Sequence, residues 1–144
     1  MDELAPVPSY ELSELLAALK PYQASALSQL LEKHGEEEAA ELWLSATGPS
    51  NTQRFGGAAP LDSKPFWNKF SEELRLFICG DKKYKKERDK LLSEAKPASL
   101  VLVSGISGLL GSTLGFAPSL LAPAVAMMLF AVGKVGVNAW CKCG

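Results

Sequence analysis

"ASLVLVSGISGLLGSTLGFAPSLLAPAVAMMLFAVG" occupies Ala98–Gly133, thirty-six residues without an acid, a base or a side-chain amide. A helix of that composition has no face that prefers water, so it has to be sheltered on every side by lipid or by protein. Residues 97–116 amount to about 30 Å of α-helix at 1.5 Å per residue, which matches the hydrocarbon thickness of a bilayer. A second run, from 120 to about 138, is of similar length. Pro118, in the intervening "FAPS", cannot continue a helix, so the spacing predicts an apolar helical hairpin over 97–140, with two candidate transmembrane helices and a short tail at 141–144.

The first of these runs is rich in small residues. Ser104, Gly108 and Ser112 recur every four positions, as do Ser107, Gly111 and Gly115. Helices in lipid associate by close backbone approach, so two ridges without bulk predict helix-packing and oligomerisation positions, with Ala122 and Ala126 as their counterparts on the second run. The expected partners are the second run itself and other copies of the chain, a homo-oligomer in a lipid bilayer.

The net charge of −1 conceals a polarity along the chain. Residues 1–50 carry nine acids against two bases, a net −7, whereas residues 82–97 carry seven bases against three acids, a net +4. Lys82, Lys83, Lys85, Lys86, Arg88, Lys90 and Lys96 lie immediately before the first apolar run, and Lys134 and Trp140 flank the end of the second. Bases in that position favour anionic headgroups and keep both ends of a hairpin cytosolic, while a tryptophan suits the interface. Nucleic acid is a weaker reading of "KKYKKERDK", because Glu87 and Asp89 interrupt it.

The remaining chain predicts helices throughout, and the fold class is all-α: a small helical N-terminal domain followed by the C-terminal hairpin. In "SYELSELLAALK", Leu12, Leu15, Leu16 and Leu19 share a face, with Ser9 as N-cap. Pro21 ends that helix, and a second follows to Gly35, where a left-handed glycine is expected. "EEEAAELWLSA" places Glu36, Glu37 and Glu38 in a first turn that the helix dipole favours, with Ala40, Trp43 and Leu44 on one side. These helices form an acidic head over 1–47, with Glu36, Glu37, Glu38 and Glu41 as a docking face for a basic protein partner.

A Gly/Pro/Ser-rich linker is expected over 48–64, followed by amphipathic and basic juxtamembrane helices over 65–96. The first of these carries Phe66, Phe70, Leu74, Phe77 and Ile78 and stops at Gly80, and the second has Tyr84, Leu91 and Leu92 on its apolar side.

Chemistry of other kinds finds little support. "SGISGLLGSTLGF" lacks the lysine that a phosphate loop needs and the strand and acid that a dinucleotide fingerprint needs. One histidine, His34, and no Cys-x-x-Cys pair argue against a metal site, no cofactor is implied, and no nucleophile, base and acid occur together as an enzyme requires. Cys79, Cys141 and Cys143 suggest no disulfide framework, and their odd number fits a reducing compartment. Cys141 and Cys143 read as incidental interfacial residues, with acylation or cross-linking the first chemistry to test.

The acidic start "MDELAPVPSY" has no signal-peptide features, which fits a chain cytosolic before insertion, or an inner or plasma membrane protein whose N-terminal domain faces the cytosol. In layout the chain resembles small bacterial toxin and defence effectors, and its hairpin resembles those of pore-forming helical toxins. That resemblance implies an effector that self-associates and permeabilises a membrane. The alternative expectation is a membrane-anchored or oligomeric adaptor or scaffold whose acidic head binds a partner.

Overall fold

A computed structural model of the chain describes residues 9–47, 64–92 and 98–143. Eight helices, and no strand, occur among the described residues: α1 Leu12–Ala17, α2 Pro21–Lys33, α3 Glu36–Thr47, α4 Lys64–Ile78, α5 Lys85–Leu91, α6 Ser99–Leu114, α7 Pro118–Val135 and α8 Val137–Cys143. The fold is all-helical, as the periodicity predicts. The linker expected over 48–64 lies outside the described residues except for Lys64, which opens α4, and Ser63, Lys96 and Pro97 also lie outside.

Local chemistry sets the helix ends. Glu11, extended at φ −70° and ψ 151°, precedes α1, and its amide donates to Glu14 Oε1 at 3.0 Å. This places the N-cap two residues after the expected Ser9. Pro21 opens α2, where its missing N–H costs nothing. Gly35 is not left-handed. His34 ends α2 in an extended conformation instead. Gly80, at φ 80°, follows the end of α4 as the sequence predicts.

The two apolar helices form a hairpin, but its turn works differently from the expected one. Gly115, at φ 72°, provides the left-handed residue that ends α6, and the amides of Gly115 and Phe116 both donate to the Gly111 carbonyl, at 2.8 and 3.0 Å. Pro118 therefore starts α7 and breaks nothing. The helices are also shorter than expected. α6 has 16 residues, about 24 Å at 1.5 Å per residue, and α7 has 18. Gly136, at φ 95°, stops α7 before the anticipated residue 138 and turns the chain into α8.

Among the described residues one helix, α7, is long and apolar enough to cross a membrane. It is also the centre of the bundle. Its buried residues include an unbroken run from Pro123 to Leu129, and at 100° per residue such a run covers the whole circumference. α3 and α6 flank α7, and α1, α2 and α8 complete the enclosure. Leu15, Leu27, Trp43 and Leu44 of the N-terminal helices share one hydrophobic cluster with Leu110, Leu121 and Leu129, so the acidic head packs directly on the hairpin. α4 joins the cluster through Phe70, Leu74, Phe77 and Ile78.

Candidate functional site

The feature most open to a functional reading is α7 together with the side chains that hold its sheath in place. Pro123 lies inside α7 and has no N–H, which leaves the carbonyl of Ser119, four residues earlier, without its helical donor. Gln23 of α2, only 2% exposed, supplies one: its Nε2 donates to Ser119 O at 2.8 Å. Its Oε1 meanwhile accepts the Lys20 amide at 3.1 Å, so one side chain caps α2 and mends α7. One residue on, Trp43 Nε1 of α3 donates to Leu120 O at 2.8 Å. Both carbonyls are partly buried, and each bond contributes a net of about 0.5–1.5 kcal/mol, so these two donors help fix where α2 and α3 sit on α7.

At the other end of α7, Lys134 Nζ meets Glu36 Oε2 of α3 at 3.0 Å. The hydrogen bond from Lys134 holds the Glu36 carboxyl below its ordinary pKa. Gly133 lies where a Cβ would come within 3.1 Å of Ser9 Oγ, so the chain entering α1 passes close to α7. Of the proposed docking acids, Glu36 is thus engaged with α7, and Glu38 pairs with His34 Nδ1 at 3.1 Å. Glu37 borders a recess between α3, α4 and α8.

The two small-residue ridges of α6 have different fates. Ser104 and Ser112 are exposed, and a Cβ on Gly108 would meet nothing within 4 Å. Ser107 and Gly111 are buried, and Gly115 forms the turn. A Cβ on Gly111 would stand 2.6 Å from the Phe116 carbonyl, so this glycine is required by the turn of its own chain. Ser107 Oγ is enclosed without a hydrogen-bond partner among the described residues. On α7, Ala126 is buried and Ala122 half-buried.

The basic segment is not uniformly a lipid-facing surface. Lys82, Lys85, Lys86 and Lys90 are exposed, with Lys85 paired to Asp89 at 3.2 Å. Arg88 is only 3% exposed and donates to Ile78 O at 3.0 Å, and burial lowers its pKa. Lys83 and Tyr84 converge on Glu73 Oε1, at 2.8 and 2.6 Å, and Tyr84 also meets Thr113 Oγ1 at 3.0 Å. Burial works to raise the Glu73 pKa, but the hydrogen bonds from Lys83 and Tyr84 outweigh it and the net direction is down. Burial, and then the bond to Glu73, raises the Tyr84 pKa. This network fastens α4 to α6.

Trp140 stacks under Arg75 of α4, with the guanidinium 4.4 Å from its ring centroid. Cys79 and Cys141 form a disulfide across 62 residues, joining the end of α4 to α8. This corrects the reading of three unpaired thiols. Neither spacing nor a local motif links these two positions, which only the fold brings together. The sequence reading also missed the hydrogen-bonding roles of Gln23, Trp43 and Glu73. Pro123 inside an apolar helix was the available signal for the first two.

No group of three or more potential metal ligands occurs among the described residues. No protein family, curated protein or solved structure matches the chain.

Proposed function

We propose that this chain is a membrane-active helical protein that stores a bilayer-length helix, α7, inside a sheath of its own amphipathic helices and releases it at a lipid surface. The observation that carries the reading is that the helix suited to cross a membrane is the one that α1, α2, α3 and α6 surround. Its attachments favour exchange with a bilayer. The ends of α7 are held by Gln23, Trp43 and the Lys134–Glu36 pair, and headgroups and interfacial water offer the same hydrogen bonds and charges. The exposed Lys82, Lys85, Lys86 and Lys90 supply attraction to anionic headgroups, at about 1 kcal/mol per base near the surface. In this reading self-association follows insertion, with the ridge of exposed Ser104 and Ser112 and half-buried Gly108 as the contact between copies.

The test is dye release from vesicles of phosphatidylethanolamine and phosphatidylglycerol. The full chain should release dye, and Trp43→Phe, which keeps the ring but removes the donor to Leu120, should do so at several-fold lower protein concentration. Absence of both release and vesicle binding in the two proteins overturns the proposal.

A second reading, a soluble scaffold that binds a protein partner, draws on a different observation. α2 and α3 frame an open groove of about 650 Å³, lined by Ala26, Leu30, His34, Leu42 and Trp43 beside the acidic first turn of α3. Vesicle inertness together with a stable monomer would favour this scaffold.

A further inference from the structure

α8 is seven residues long, too short to persist as a helix by itself. It leaves α7 through Gly136, whose φ of 95° is readily adopted only by glycine, so the joint is a hinge and not a continuation. Little apolar packing holds it down. Among its described side chains Val137 alone belongs to the buried cluster, and Trp140 and Cys141 are only partly covered.

The rest of its attachment runs to α4. Arg75 Nη1 reaches the Trp140 carbonyl at 3.4 Å, a long hydrogen bond, and stacks on the Trp140 ring. A covalent tie to the end of α4 is the Cys79–Cys141 disulfide, whose two cysteines are both half-buried. Beneath α8, Glu37, Arg75, Met128 and Trp140 line a recess of about 270 Å³ that leads to the flank of α7.

We infer that the Cys79–Cys141 bond is a redox lock on α8, which a dithiol reductant opens so that α8 swings about Gly136 and uncovers α7 at Met128. The inference goes beyond the membrane reading and does not require it. In the first step a thiolate of the dithiol attacks one sulfur, forming a mixed disulfide and expelling the other cysteine as a thiolate, which takes up a proton. The second thiol of the reductant then closes a cyclic disulfide and releases the first cysteine. Two electrons and two protons pass to the protein, leaving Cys79 and Cys141 as thiols and the dithiol oxidised. The bundle survives because its core is made by α1–α4, α6 and α7, to which α8 adds little.

The experiment is amide hydrogen exchange on the full chain, oxidised and then treated with dithiothreitol without denaturant, with thiol alkylation and mass mapping to confirm the state of each cysteine. Reduction should speed exchange in α8 at least tenfold and leave α2, α3 and the first half of α7 within about twofold. A Cys79→Ser/Cys141→Ser chain should show the fast α8 and no response to dithiothreitol. If that variant fails to fold, the reduced and oxidised wild-type samples still decide. Unchanged α8 exchange after confirmed reduction overturns the inference, as does loss of protection throughout the chain or failure of Cys79 and Cys141 to pair in the oxidised protein. Dye release plays no part in this readout, so a failed membrane reading leaves it standing.

Discussion

α6 and all but the last two residues of α7 come from one uncharged stretch and the helices are of nearly equal length, yet they meet different environments. Over Pro123–Leu129 α7 is buried around its circumference and exposes a large apolar side chain only at its end, Val135 at 53%, whereas α6 exposes Leu100 at 56% and Val101 at 51% and turns Ser104 and Ser112 to solvent. The difference lies in side-chain size. α7 carries Met127, Met128, Leu129 and Phe130 in succession, and exposing such residues would forgo about 1.5–3 kcal/mol each. From Ser104 onward the outward side of α6 is small or polar, with Ser104, Gly108, Ser112 and Thr113, which present little apolar area to water. An uncharged helix is therefore not automatically an internal one, and bulk on each face decides.

The largest effect should come from truncating the enclosed helix. Leu129→Ala should cost about 2–5 kcal/mol in urea unfolding, while Val101→Ala on the open face of α6 should stay within about 0.5 kcal/mol. Equal costs would break the contrast. Within α6 the two ridges should separate by sign. Gly111→Ala, which drives a Cβ against the Phe116 carbonyl, should destabilise by about 1–3 kcal/mol, whereas Gly108→Ala, facing open space, should stabilise by about 0.5–1 kcal/mol, both read from thermal midpoints.

Acid should have the smallest effect. Glu36 and Glu73 are held below the ordinary carboxyl value of 4.5, so the stability they contribute is complete above that pH and is lost as pH falls through their lower folded values. The urea midpoint should drop between about pH 5 and pH 3, and Glu73→Gln should flatten that drop.

The helical class, the apolar faces and most breaks were legible because each rests on local periodicity or on a glycine or proline. Leu15, Trp43, Phe70, Leu74 and Phe77 are all buried as their spacing predicts. What the sequence concealed was relation across distance. Two bilayer-length spans became one because α6, which Gly115 ends, has only 16 residues, and a window of apolar composition gives no weight to that glycine. Lys134 and Glu36 read as a headgroup contact and a docking acid, but lie against each other because α3 packs along α7. The Cys79–Cys141 pair was invisible for the same reason.

The bond from Gln23 to Ser119 spans 96 residues. During synthesis at the ribosome, α1–α3 therefore emerge long before the helix they are shaped to cover exists. Their leucines and Trp43 have no α7 to rest on until that helix is made, a delay that leaves the nascent protein exposed to aggregation or to capture by a chaperone.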